Sequence, residues 1–168
     1  MSDIEKCLKS AFEALTPDEA LRHPVSVLLG VSQSAQHALQ AIGINSVLDL
    51  AVSRTFAAAN RLLAIQNDPT ALEARLNAVA ADEVDAPTGV PAAELADQPI
   101  AILRGIGAAH SGRVSTALDV TTVRDLALWP PYATGQAMLD MAYYSTGWCC
   151  LRCVSWYSPC SVNRKHRL

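Results

Sequence analysis

Soft metal ligands are concentrated near the end of the sequence. Cys150 and Cys153 form a C-x2-C pair, and Cys160 and His166 follow. Three thiolates and one imidazole are a ligand set from which tetrahedral zinc sites are built. The basic residues around them would suit a tail that binds nucleic acid when zinc is present. Zinc held by these four residues is therefore one hypothesis.

The same tail, residues 148–168, has other interpretations. It contains four of the five cysteines, two of the three tryptophans and no acidic residue, and no helical or strand periodicity continues into it. The alternatives are a disordered tail, a non-native sequence such as a frameshift produces, and packing or membrane-surface contact by Trp148 and Trp156. The main prediction is that the protein has no cofactor, with zinc as the alternative.

A second pattern with binding potential is a pair of glycines in residues 103–108, which read LRGIGA. Glycine lets a ligand approach the backbone closely, and the N-terminus of a following helix attracts anions. Arg104 and Arg113 would add positive charge. The alternative is structural: Gly30, Gly105 and Gly107 make tight turns between closely packed helices.

Catalytic chemistry finds little support in the sequence. His23, His37 and His110 have no carboxylate or cysteine at a helpful spacing. The sequence has no phosphate-binding loop, dinucleotide fingerprint or metalloprotease helix. We therefore expect a protein that is not an enzyme, and no small-molecule substrate is evident from the sequence.

Charge and hydrophobicity favour a protein partner. All 16 acidic residues lie at or before Asp140, so the body of the chain is acidic and the tail is basic. An acidic body attracts nucleic acid poorly, because phosphate binding depends on clustered Lys and Arg. Only 17% of residues are charged, so we expect apolar surface that a protein partner or self-association covers.

Periodicity predicts an almost wholly helical chain. An N-terminal helix is predicted from apolar residues at three- and four-residue spacing: Ile4, Cys7, Leu8, Ala11, Phe12 and Leu15. A capping box at residues 16–19 (TPDE) starts the next helix, and residues 70–81 form a further one. No export signal is recognised in residues 1–20 and no apolar run would span a membrane, so we expect a cytoplasmic protein.

The two halves of the sequence align with each other. Residues 24–31 (PVSVLLGV) correspond to residues 99–106 (PIAILRGI), and residues 44–51 (INSVLDLA) to residues 120–127 (VTTVRDLA). With a single insertion between these two blocks, the matching prolines, glycines and aspartates fall in register. We predict a duplicated helical unit in which Asn45 and Thr121 are helix N-caps, and Phe56 and Tyr132 each open a longer helix.

The repeated pattern resembles the helix-hairpin-helix family. The resemblance is carried by Leu103, Gly105, Ile106 and Gly107, with Val114 and the run Val123–Ala127 following. It implies two tandem units that bind either a protein partner or DNA. For DNA, it implies that backbone amides approach a phosphate at Gly105, Gly107 and Ala108, supported by Arg104 and Arg113. The first copy has no Lys or Arg in residues 31–53, which favours the fold of the family over its DNA binding.

The sequence thus predicts an all-α protein of two tandem helix-hairpin-helix-like units with an irregular Cys-rich tail. Residues 1–81 hold an N-terminal helix and the first unit, and residues 82–90 form a linker. Residues 91–147 form the second unit, and residues 148–168 form the tail. The preferred function is a non-enzymatic interaction or scaffolding module that binds a protein partner. The alternative is weak, sequence-independent DNA binding through the second Gly-x-Gly hairpin.

Overall fold

The computed structural model describes residues 5–68, Val84 and residues 90–145. Within these residues the chain is helical and contains no β-strand, so the predicted all-α class is confirmed. The described α-helices are α1 (Pro17–Arg22), α2 (Gln33–Ala41), α3 (Val47–Ala51), α4 (Arg54–Asn67), α5 (Gly107–Leu118), α6 (Val123–Ala127) and α7 (Pro130–Ser145). Short 3-10 helices cover Glu5–Cys7, Ser10–Phe12, Val25–Val27, Ala92–Asp97 and Ile100–Ile102.

Several predicted features lie outside the described residues. They are the helix over residues 70–81, most of the linker over residues 82–90, and the tail with Cys150, Cys153, Cys160 and His166. None of the described helices is both long enough and apolar enough to cross a lipid bilayer.

The N-terminal segment differs from the predicted helix. Its two 3-10 turns are separated at Leu8, which is buried and forms an isolated antiparallel bridge with Leu28. The amide of Lys9 donates to the Val27 carbonyl at 2.9 Å, and that of Leu29 donates to the Cys7 carbonyl at 2.8 Å. A short helix is marginal by itself, so backbone pairing with the following hairpin replaces the helical hydrogen bonds here.

Helix α1 begins as the sequence predicts. Pro17 is its first residue, and the Thr16 hydroxyl accepts a hydrogen bond from the Glu19 amide. The Glu19 carboxylate in turn accepts the Thr16 amide at 2.9 Å. This reciprocal capping box satisfies two donors that the start of a helix leaves without partners.

Helices α3 and α6 begin one residue later than the sequence suggested. Their N-caps are Ser46 and Thr122, not Asn45 and Thr121. In α3 the Ser46 hydroxyl accepts the Asp49 amide at 3.1 Å, and the Asp49 carboxylate accepts the amides of both Ser46 and Asn45. A cap needs an oxygen within reach of the third helical amide, and this geometry gives that role to Ser46.

The same local geometry recurs in both halves of the molecule, where the first half is residues 5–68 and the second is Val84 with residues 90–145. Isolated bridges join Pro24 to Ser46 and Pro99 to Thr122. The 3-10 helix Ile100–Ile102 repeats Val25–Val27, and α6 repeats α3. Each of these pairs occupies positions that the internal sequence alignment equates.

The long helices pack across the two halves. Helix α4 of the first half lies against the turn Ala92–Asp97 and α6, whereas α7 of the second half lies against α1 and α3. Helices α2 and α5 contact each other. Buried side chains of both halves form one continuous core, so each half completes its core with a helix of the other.

A polar network also joins α4 to the second half. The Arg124 guanidinium donates to Asp97 Oδ1 at 2.9 Å and to Gln66 Oε1 at 2.8 Å. The Gln66 amide donates to Asp97 Oδ2 at 2.6 Å. At the position equivalent to Arg124, the first half has Leu48, so this part of the first half is apolar where the second half is charged.

Candidate functional site

The first hairpin connects the turn Val25–Val27 to α2. Gly30 sits at its tip with a φ of 82°, a left-handed conformation that side chains disfavour. The Ser32 hydroxyl caps α2 by accepting the Ala35 amide at 3.0 Å. The Lys9 ammonium donates to the Val31 carbonyl at 2.8 Å, so the structure brings to this hairpin a cation that is distant in sequence.

The second hairpin leads into α5 without a side-chain cap. Gly105 has a φ of 95°, and Gly107, the first residue of α5, has a φ of 59°. The N-cap position is Ile106, whose side chain accepts nothing. The Gly107 amide donates to the Leu103 carbonyl at 3.3 Å, so it already has an acceptor within the hairpin. Ala108 is exposed in the first turn of α5.

Each hairpin glycine is approached by the start of a long helix from the other half. A Cβ atom at Gly105 would lie 2.6 Å from Thr55 Oγ1 of α4, and one at Gly30 would lie 4.0 Å from Pro131 Cγ of α7. The Thr55 hydroxyl also donates to the Arg104 carbonyl at 3.2 Å. A side chain at Gly105 would therefore have to displace the Thr55 hydroxyl.

These contacts define two hairpin junctions. The first hairpin junction comprises Leu29 and Gly30 together with Leu128 and Pro131. Leu29 is 59% exposed and Leu128 is 63% exposed. Leu29 directly precedes Gly30, and Leu128 lies three residues before Pro131, so this junction presents apolar side chains to solvent.

The second hairpin junction occupies the equivalent place in the other half. It comprises Arg104 and Gly105 together with Val52 and Thr55. Arg104 stands where the first junction has Leu29, and Val52, which is 58% exposed, stands where the first has Leu128. The four residues of the second junction therefore include a basic one, whereas the four of the first are all apolar, although Lys9 binds the neighbouring Val31 carbonyl.

Arg113 lies in a different place from the hairpin residues. It lines an open groove of about 610 Å³ between α2 and α5, together with Ser34, His37, Thr116 and Ala117. The five residues that the resemblance assigned to DNA thus divide between two regions. Four belong to the second hairpin and the first turn of α5, and Arg113 belongs to the groove.

A feature of the charge pattern that the motifs do not reveal accompanies this geometry. Residues 20–48 and residues 98–118 contain no Asp or Glu. Each stretch contains one hairpin and the helix that follows it, and the two stretches meet where α2 packs against α5. Counting acidic residues along the sequence would have found both stretches, but not that they meet.

The perturbed carboxylates of the described residues have structural roles. Backbone hydrogen bonds from Thr122 and Thr121, then the Thr122 hydroxyl, lower the pKa of Asp125 below 3.8. Burial acts to raise the pKa of Asp49, but hydrogen bonds from Ser46 and Asn45 outweigh it and lower that pKa. The lowered pKa values of Asp49 and Asp125 therefore result from their roles in the N-terminal capping boxes of α3 and α6.

Metal ligands do not gather in the described part of the chain. Among residues 5–68, Val84 and residues 90–145, no group of three or more His, Cys, Asp or Glu side chains is arranged to hold a metal ion. Cys7 is half-buried. The four residues of the zinc hypothesis lie outside these ranges, so zinc remains a hypothesis drawn from the sequence.

The features that could support a function are thus the two hairpin junctions and the groove between α2 and α5. Any function must be inferred from their geometry and charge. No family model, curated protein or solved structure matches this chain.

Proposed function

We propose that this chain is a non-enzymatic binding module that docks a protein partner at the first hairpin junction. The observation that carries the proposal is the exposure of Leu29 and Leu128, 59% and 63%, close in sequence to Gly30 and Pro131, where the two halves approach each other. Single exposed leucines are ordinary on protein surfaces, but apolar side chains grouped together mark interaction sites.

The surroundings of this junction favour a docking surface. An isolated antiparallel bridge joins Leu8 to Leu28, just before the hairpin. Pro131, which approaches the hairpin from α7, is buried. A rigid apolar surface loses little conformational freedom when a partner binds. The partner proposed is one that presents an apolar face, such as that of an amphipathic segment, to the two exposed leucines.

The proposal includes a tandem architecture of two helix-hairpin-helix-like units. Its support is an order of 3-10 turn, hairpin, helix, capped short helix and long helix that occurs once in each half. Equivalent backbone hydrogen bonds support it too. The Val47 amide donates to the His23 carbonyl at 3.0 Å, and the Val123 amide donates to the Gln98 carbonyl at 2.9 Å.

The docking proposal is tested by site-specific cross-linking. A photo-reactive residue placed at position 29 should capture a defined partner in cells, and one placed at position 52 on the second junction serves as the matched control. The partner is then purified and its affinity measured against Leu29→Ser/Leu128→Ser and against Val52→Ser. We expect the double variant to lose about tenfold or more in affinity, and the control to bind like the unaltered protein.

Salt distinguishes this mode of binding from phosphate recognition. Apolar docking should change little between about 50 and 200 mM salt, whereas contacts to phosphates weaken by orders of magnitude over that range. A steep loss of partner affinity with salt would contradict docking through Leu29 and Leu128. Equal cross-linking from positions 29 and 52 would contradict it as well.

DNA binding through the second hairpin is the second candidate function. One observation favours it: the first turn of α5 has no side-chain cap, exposes Ala108 and follows the exposed Arg104, in a stretch without carboxylates. Fluorescence anisotropy of a labelled duplex at about 50 and 200 mM salt tests it. Binding at low salt that Arg104→Ala alone weakens would support it, and no binding at either salt would reject it.

A further inference from the structure

The groove between α2 and α5 is a concave surface open to solvent. Its volume is about 610 Å³, within the range of roughly 300–1,000 Å³ that is usual for ligand pockets. Ser34 and His37 line it from α2, and Arg113, Thr116 and Ala117 line it from α5. Both halves therefore contribute to one concave surface.

The side chains that line the groove are suited to donate hydrogen bonds to an anion. The guanidinium of Arg113 offers several donors in one plane, and the ring of His37 offers one or two. The Ser32 and Ser34 hydroxyls share a hydrogen bond of 2.8 Å, in which Ser32 can be the donor and leave the Ser34 proton for a ligand. The Thr116 hydroxyl donates to the Gly112 carbonyl at 2.9 Å, so it forms part of the wall.

The charge distribution around the groove is unbalanced. Arg22 and Arg124 each have a carboxylate at 2.9 Å, Asp18 and Asp97 respectively. The side chain of Arg113 forms neither an ion pair nor a hydrogen bond with another described residue. No carboxylate lines the groove, and the stretches that form it, residues 20–48 and 98–118, contain none. Since the body of this chain is acidic, an arginine and a histidine facing one groove without a carboxylate indicate an anionic ligand.

The geometry points to a phosphate-binding site in the groove between α2 and α5, with Arg113 as the main ligand-contacting residue and His37 and Ser34 as supporting donors. Arginine binds phosphate oxygens through paired donors. The phosphate belongs either to a small phosphorylated molecule or to a nucleic-acid backbone. This site is separate from the first hairpin junction and does not depend on protein docking there.

Titration calorimetry with inorganic pyrophosphate, on the full chain, tests the site. The variants are Arg113→Gln and His37→Gln, and the matched control is Arg54→Gln, which removes an exposed positive charge from α4. We expect Arg113→Gln to weaken binding about tenfold or more, because a charge-assisted hydrogen bond is lost. His37→Gln should weaken it less, and Arg54→Gln should leave it unchanged.

A short DNA duplex used as competitor separates the two sources of phosphate. If the duplex displaces pyrophosphate and Arg113→Gln weakens both ligands, the site serves a nucleic-acid backbone. If only pyrophosphate binds and Arg113→Gln weakens it, the site serves a small phosphorylated molecule. Either result supports a phosphate-binding site in the groove. The proposal is overturned if neither probe binds, or if Arg113→Gln binds both as tightly as the unaltered protein.

Discussion

The rings of Phe56 and Tyr132 lie with their centroids 4.9 Å apart and their planes inclined by 32°. Both side chains are fully buried. Phe56 is on α4, and Tyr132 is on α7 at the position that the internal alignment matches to Phe56, so the contact joins equivalent positions of the two halves. Trp129 places a further ring 5.8 Å from Phe56. This aromatic cluster therefore connects the hydrophobic cores of the two halves.

Removing the ring of Phe56 should therefore destabilise the whole molecule. We expect Phe56→Ala to lower the free energy of unfolding by about 3–5 kcal/mol, because it leaves a cavity between the halves. Tyr132→Phe keeps the ring but loses the hydroxyl, which contacts Gln136 Nε2 at 2.7 Å, and should cost about 1 kcal/mol. Urea denaturation followed by circular dichroism measures both. A Phe56→Ala variant as stable as Tyr132→Phe would contradict this role.

Neither half should fold alone, because each long helix packs on the other half. Residues 1–81 and residues 82–168, expressed separately, should each lack a cooperative thermal transition, since α4 and α7 would have no partner. When mixed, the two fragments should form a one-to-one complex with restored helicity. Circular dichroism and light scattering measure this. A separate fragment that unfolds cooperatively as a monomer would show that its core is self-sufficient.

The two hairpin glycines should differ in their tolerance of alanine. Both have left-handed φ angles, so Gly30→Ala and Gly105→Ala should each cost about 1–2 kcal/mol through backbone strain. Gly105→Ala should cost about 1 kcal/mol more, because its Cβ atom would lie 2.6 Å from Thr55 Oγ1. Adding Thr55→Ala to Gly105→Ala should remove this excess in a double-mutant cycle. Equal costs at the two glycines would argue against the close approach of Thr55.

The capping carboxylates should make the protein sensitive to acid. The pKa values of Asp49 and Asp125 are lowered in the folded state. Their contribution to stability is therefore present above the unfolded-state pKa of about 4 and is lost as the pH falls through the folded-state values. Asp49→Asn/Asp125→Asn should lower stability at neutral pH and flatten its decline below about pH 4. Urea denaturation at a series of pH values measures the free energy of unfolding of both proteins. If the double variant loses stability in acid as steeply as the unaltered protein, other groups cause the acid sensitivity.

Much of the local structure could be predicted because it depends on neighbouring residues. The capping box at Thr16 and Glu19 follows from their spacing in the chain, and the turn at Gly30 follows from the need for a positive φ. The N-caps at Ser46 and Thr122 were missed by one residue, because neighbouring polar residues compete for the same amides. The N-terminal segment was predicted as a helix, because periodicity cannot show that Leu8 pairs with Leu28.

The sequence alone was enough to predict the all-α class, the capping box at Thr16 and Glu19, the glycines of the hairpins and the internal alignment of the two halves. These features arise from backbone conformation and from hydrogen bonds between residues close in the chain. Three relationships required the tertiary structure: α4 and α7 each pack on the opposite half, Thr55 covers Gly105, and Arg113 lines a groove with His37 instead of joining Arg104 at the hairpin. Those relationships depend on how apolar faces are paired across the core, and many pairings of amphipathic helices satisfy the same periodicity.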